Sequence, residues 1–166
     1  MKTLYLLRHA KSSWKDAKLS DIDRPLNKRG KDDAPVMGKR FQKLEVLPDF
    51  IISSPAKRAF KTIQTIAPLL GYSEKSIKID MRLYGANVLE LIRVIQEELD
   101  QHNSIMLVGH NPGFTHLIDT LTGTPIDNLP TCGLVRIDFN VKSWKQVEAD
   151  KGKLILFEYP KKQAKS

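Results

Sequence analysis

Residues 3–10, Thr-Leu-Tyr-Leu-Leu-Arg-His-Ala, constrain the fold of this chain more than any other stretch. Leu4, Leu6 and Leu7, with Tyr5 between them, leave no polar face, so the segment reads as a strand covered on both sides, as in parallel sheets flanked by helices. Ligands of such sheets bind just beyond the carboxyl ends of the strands. Arg8 and His9 stand there. A lone Arg-His pair is most simply a solvated strand end, but two more apolar runs have the same design. Residues 50–53 lead into Ser54-Pro55 and a helical pattern carrying Arg58, and residues 104–109 lead into His110-Asn111-Pro112-Gly113. Three strand ends are therefore expected to deliver two imidazoles and two guanidinium groups to one cationic pocket.

The intervening segments alternate between helical and strand patterns. Asn27 is the expected N-cap of a helix running to about residue 44, with Val36, Met37, Phe41 and Leu44 at helical spacing and Pro35 marking a kink or a late start. Ser54 is the expected N-cap of the next helix, with Pro55 at its first position, Ala59, Ile63, Ile66, Ala67 and Leu70 as its apolar stripe and Gly71 as its stop. In its first turn Arg58 would lie beside free N–H groups and the positive end of the helix dipole. Residues 77–79 form a short strand, and Asn87 caps a helix with Val88, Leu91, Ile92, Ile95 and Leu99 on one face. Pro112 opens a short helix through residue 121, on which His116 is an ordinary helix residue, while His102 is expected to be solvated. Residues 134–139 and 153–159 form an antiparallel pair, joined by a polar connection containing Trp144. This order specifies an α/β fold, a three-layer α/β/α sandwich with a mixed, mostly parallel central sheet. Residues 1–160 make one domain, and 161–166 make a basic tail in which Lys161, Lys162 and Lys165 are solvated.

A chain of 166 residues can bury roughly two thirds of its unfolded surface and needs no metal or disulfide to fold. Its single cysteine, Cys132, allows no internal disulfide and reads as a packed small residue. The net charge of +8 and pI near 9.6 favour anionic partners: nucleic acid, an acidic protein surface or a phosphorylated substrate. No zinc-finger spacing, RNA-recognition signature or Gly-rich P-loop is present, so no specific nucleic-acid ligand is expected. No apolar run reaches membrane-spanning length, and the N-terminal segment lacks the pattern of a signal peptide. A monomeric, soluble, cytoplasmic protein without membrane contact is expected.

Arg8-His9-Ala10-Lys11 after an apolar strand, Ser53-Ser54-Pro55 with Arg58 and Thr62 following, and Gly109-His110-Asn111-Pro112 together resemble the histidine phosphatase superfamily. Within it, the run from Arg8 through Ser12-Ser13-Trp14, with Asp21, Arg24-Pro25-Leu26 and Arg29-Gly30, is most similar to the SixA-type phosphohistidine phosphatases. The resemblance extends from Thr3 to about Phe114. It implies a phosphoglycerate mutase-like fold and a metal- and cofactor-free phosphatase, with His9 as nucleophile and Arg8, Arg58 and His110 as ligands of the phosphoryl oxygens. By the same resemblance Asp21, Arg24 and Asn111 are expected at the substrate.

Forked guanidinium donors match the equatorial oxygens of a phosphoryl group. A neutral imidazole can attack phosphorus and hold it covalently, dividing one hard step into two. The chain departs from the superfamily in two places. Ala10 stands where glycine is common, and no acidic residue lies between Asp80 and Glu90, where an acid usually protonates an ester leaving group. An alkoxide needs that acid, whereas an imidazole, with a pKa near 6.5, does not. The absence therefore favours a P–N substrate such as phosphohistidine in a protein, with Asp21 as a candidate substitute donor. The competing expectations are a phosphatase or mutase of a small phosphate ester and a non-catalytic module binding phosphate or nucleic acid.

Overall fold

The computed structural model describes residues 1–162. Its centre is a six-stranded sheet made of β1 (Lys2–Arg8), β2 (Phe50–Ser53), β3 (Lys78–Ile79), β4 (Ser104–Gly109), β5 (Leu134–Phe139) and β6 (Gly152–Glu158), in the spatial order β3-β2-β4-β1-β5-β6. The first four are mutually parallel. β5 runs antiparallel to β1, and β6 antiparallel to β5, which ends the sheet with the expected hairpin-like pair. The sheet is mixed and mostly parallel, as the alternating pattern requires.

The unbroken apolar run of β1 divides between two cores because successive side chains point to opposite faces. Leu4 and Leu6 join Ile105 and Leu107 beneath α3 (Val88–Gln96) and α4 (Gly113–Thr122). Tyr5 and Leu7 join Ile51, Met106 and Val108 beneath α1 (Lys28–Lys43) and α2 (Lys57–Ile66). Each helix pair thus covers one face, giving the three layers. Trp144 belongs to the first core: it is fully buried, its indole N–H donating 2.8 Å to the His102 carbonyl.

Several local expectations need correction. α1 begins directly after Asn27, whose side chain accepts from Gly30 N, and it continues through Pro35 rather than starting late. Val36 and Leu44 are exposed; the buried face of α1 is Gly30, Ala34, Met37, Gly38 and Phe41. α2 starts two residues later than Ser54-Pro55 suggests, with Ala56 at the N-cap, and the Ser54 side chain accepts from Ala56 N ahead of the regular helix. The regular helix ends at Ile66, and a 3-10 turn over Ala67–Leu70 carries the chain to Gly71, whose φ of 71° makes the stop. α3 ends at Gln96, leaving Leu99 outside it and 60% exposed, while Val94 takes the buried position instead. His102 is half-buried and stacked on Phe50, with ring centroids 4.8 Å apart, rather than solvated. Lys162 is anchored: its ammonium donates 2.6 Å to the Phe157 carbonyl and pairs with Glu158. Lys165 lies outside the described residues.

Candidate active site

Strand register assembles the site. Arg8 pairs with Gly109 and Ser53 with Val108, so His9, His110 and Ser54 leave three adjacent parallel strands at the same end of the sheet. The His9 amide donates to the Gly109 carbonyl at 3.1 Å, and the two imidazole centroids stand 5.1 Å apart. Arg8, His9, Lys11, Ser12, Trp14, Arg24, Arg58 and Thr131 line a cleft of about 160 Å3, large enough for one phosphoryl group. His110, although its ring adjoins that of His9, lines a second cleft of about 580 Å3, between the starts of α3 and α4, and is not among the residues lining the first.

His9 is almost completely buried, and its Nδ1 lies 2.7 Å from the Ala10 carbonyl oxygen. A carbonyl can only accept, so Nδ1 carries the proton and Nε2 keeps its lone pair. Burial, reinforced by His110, Arg58 and Arg8, pushes the His9 pKa down to about 3 despite the opposing backbone hydrogen bond. The ring is therefore a free base at neutral pH. Burial and the nearby Arg58 likewise lower His110 to about 4. Its Nε2 meets Ser54 Oγ at 2.8 Å, while Nδ1 is buried without a hydrogen-bond partner among the described residues.

The loop between β1 and α1 folds back over this strand end and holds the cations. Arg24 donates from Nε to Ser13 O, from Nη2 to Ser12 Oγ and from Nη1 to Asp21 Oδ1, while its guanidinium carbon lies 3.2 Å from the centre of the Trp14 ring. Arg58 gives one N–H from Nη1 to the Asp21 carbonyl and one from Nη2 to Asp21 Oδ2, at 2.7 and 3.0 Å. Three of its five N–H groups remain for a ligand. Arg8 is oriented by the Leu129 carbonyl at 2.9 Å, and its buried Nε has no hydrogen-bond partner among the described residues. Thr62 joins nucleophile to cation: its hydroxyl accepts from Ala10 N and donates to the Arg58 carbonyl.

Two of the residues expected at the substrate have different surroundings. Asn111 lies on the larger cleft. Its amide donates to Asn128 Oδ1 and the Leu129 carbonyl and accepts from Thr115, bracing the loop that orients Arg8. Asp21 accepts from Arg24, Arg58 and the Tyr84 hydroxyl, the last at 2.5 Å. The hydrogen bond from Tyr84, followed by those from the two arginines, holds its carboxyl well below the usual carboxylate range. Asp21 is thus an ionised clamp and a poor proton donor. Tyr84 and the role of Ser54 escape sequence reasoning. Tyr84 lies inside the stretch from which the acid is absent, and looking there for a polar replacement would have found it.

The comparisons with known proteins concern the chain and its fold. The chain is 33% identical over 157 residues to an uncharacterized chloroplastic protein of Arabidopsis thaliana, a match covering 90% of this chain and 72% of the relative. Its fold superposes on the protein proposed to be the phosphohistidine phosphatase SixA of Agrobacterium tumefaciens with a TM-score of 0.83 and 28% identity, over 96% of this chain and 98% of the other. A protein histidine phosphatase SixA complexed with tungstate shares the fold at a TM-score of 0.81 and 19% identity, over 95% and 97% of the two chains. The sequence model of the histidine phosphatase superfamily (branch 1) matches residues 4–88, from the first strand to the start of α3. The chain belongs to the histidine phosphatase superfamily and is a hydrolase of that type.

Proposed function

We propose that this protein is a metal-independent phosphohistidine phosphatase acting on a phosphorylated protein side chain. The observation that carries the reading is the fixed tautomer of His9, with Nδ1–H held by the Ala10 carbonyl and the bare Nε2 in a cleft lined by Arg8, Arg24 and Arg58. Nε2 attacks phosphorus as the substrate's P–N bond breaks. The bonding pair leaves with the substrate imidazole, which takes its proton from solvent. Water then attacks the phosphorylated His9, the new P–N bond breaks, and inorganic phosphate departs as Nε2 recovers its lone pair. Arg8, Arg58 and the N–H of His110 stabilise the charge spread over the phosphoryl oxygens in both steps.

The leaving group decides the substrate. With Asp21 ionised, an alkoxide would depart without a strong acid beside it, whereas an imidazole needs none. The mouth of the cleft suits a side chain presented on a protein: Trp14 is 76% exposed at its rim, with Lys11 and Lys15 beside it to favour an acidic partner.

The test is rapid quenching after mixing with a phosphorylated histidine phosphocarrier domain, in the presence and absence of a chelator. Acid-labile phosphate on the enzyme, absent from His9→Ala and indifferent to chelation, is the expected result. Faster turnover of alkyl phosphate esters than of phosphohistidine would overturn the substrate, and an activity restored by a divalent ion would overturn metal independence. Salt-dependent binding of DNA without any phosphatase activity would make the pocket a binding module.

A further inference from the structure

We propose that Ser54 is a positioning residue that fixes the tautomer of His110, so that this ring presents its Nδ1–H to a phosphoryl oxygen. The assignment rests on the phosphoryl-transfer reading only for the identity of the acceptor; the tautomer itself follows from hydrogen-bond accounting. Ser54 is fully buried at the end of β2, and its Oγ has two partners: Ala56 N, which donates to it at 3.2 Å, and His110 Nε2 at 2.8 Å. The hydroxyl owns one hydrogen.

If Nε2 carried the proton, it would donate to Ser54 Oγ, leaving the buried serine hydrogen without an acceptor and the buried Nδ1 lone pair without a donor. If Ser54 donates to Nε2, the serine is satisfied on both counts and a single group is left over, the Nδ1–H of His110. The second arrangement strands one buried polar group instead of two, and each such group costs about 1–3 kcal/mol. The group it leaves is a donor on a ring whose centroid stands 5.1 Å from that of the proposed nucleophile, where an anionic oxygen would satisfy it and a bare nitrogen would repel that oxygen.

The environment makes tautomerism, rather than charge, the property that needs fixing. Burial and Arg58 keep the ring neutral at physiological pH, so His110 has one N–H to give and must hold it on the correct atom. Ser54 is well placed to enforce this because it is itself fixed, its amide donating 2.9 Å to the Val108 carbonyl, two residues before His110 on the neighbouring strand.

Nitrogen-15 spectra of the histidine rings test the assignment in the wild-type chain, with no variant required. The expected result at neutral pH is a pyrrole-like Nδ1 and a pyridine-like Nε2 for His110, with the Hδ1 proton shifting downfield as inorganic phosphate is added. A pyrrole-like Nε2 would overturn it. In Ser54→Ala the ring should show mixed or reversed tautomers, and kcat on phosphohistidine should fall by roughly 10-fold to 10²-fold with a smaller change in KM. Ser54→Thr, which keeps the hydroxyl, should restore both the tautomer and most of kcat. If Ser54→Ala leaves the wild-type tautomer in place, Ser54 is not the device that sets it, whatever the activity. If the tautomers behave as expected but no phosphatase activity is found on any substrate, the role of Ser54 stands and the proposed reaction falls.

Discussion

Gly30→Ala is a substitution that helix propensity alone would favour by about 0.5–1 kcal/mol, since position 30 lies inside α1. The structure predicts the opposite sign. A Cβ at position 30 would stand 2.2 Å from the Lys11 carbonyl oxygen and 3.0 Å from the Lys11 nitrogen, both backbone atoms that cannot swing aside. Comfortable contact needs about 3.5 Å, so helix and loop must part by roughly 1 Å. That movement would strain the bond from Asn27 N to Lys11 O and, two residues upstream, the position of His9, since Ala10 N is held by Thr62. Forced overpacking of this kind costs about 1–3 kcal/mol, and a 1 Å displacement of a reacting group about 10²-fold in rate. Urea unfolding and steady-state hydrolysis of phosphohistidine measure the two effects. Gly71→Ala is the control: with φ at 71° and nothing within 4 Å, it should cost about 1–2 kcal/mol of backbone strain and leave kcat/KM unchanged. A Gly30→Ala protein as stable and as active as wild type would refute the reasoning.

The low pKa values of His9 and His110 make stability depend on pH in a definite direction. Below about pH 6.5 the unfolded chain protonates both rings while the folded chain resists until about 3 and 4, so each contributes a loss of up to about 1.4 kcal/mol per pH unit as the medium is acidified and nothing above that range. Urea midpoints in phosphate-free buffer between about pH 7.5 and pH 5 should fall more steeply for wild type than for His9→Gln or His110→Gln; parallel lines would contradict the burial argument. Trp14→Ala should lower kcat/KM on a phosphorylated protein by about 10-fold and on a small phosphoramidate by much less, because the ring is mostly exposed at the mouth. Equal losses on the two would reduce Trp14 to a support for Arg24. Asp21→Asn should slow P–N and alkyl P–O substrates by similar factors, roughly 10-fold, since it loosens a clamp worth about 1.5–3 kcal/mol per charge-assisted bond rather than removing an acid. A loss confined to the alkyl ester would return Asp21 to the role of proton donor.

The parts of the fold that could be read in the sequence were those with a continuous local signal. β1 and β4 show as apolar runs ending in Arg8-His9 and Gly109-His110, and the parallel pairing of the two strands follows from their burial on both faces. Asn27 and Asn87 show as caps because each bonds within its own first turn. Ser54 misleads for the converse reason: its local signal is met only by the bond it accepts from Ala56 N, while its other partner, His110, lies 56 residues away and no local pattern announces it. Tyr84 has no local pattern either, since its bond to Asp21 spans 63 residues; the one signal pointing to it is its place in the stretch that lacks the acid. Asn111 was legible as a site residue through its neighbours, yet its four contacts brace a loop, and only coordinates separate bracing from binding.

An ionised carboxylate bonded to the arginines of a cleft proposed to take phosphate looks misplaced until the charges are balanced. Arg8, Arg24 and Arg58 repel one another, and without a counter-charge the loop carrying Arg24 would swing away from α2. Asp21 offsets that repulsion by bonding two of the three guanidinium groups, and Tyr84 turns its second oxygen toward Arg58. Three cations and one anion leave two positive charges, equal and opposite to a phosphoryl dianion, with exposed Lys11 at the rim. The clamp therefore holds the guanidinium groups in place before the substrate arrives, which removes the ordering cost from the binding step. The same bonds keep Asp21 from holding a proton near neutral pH. Preorganising the cations and protonating a leaving group are thus competing uses of one carboxylate, and a site that commits it to the first is confined to leaving groups that can depart without the second.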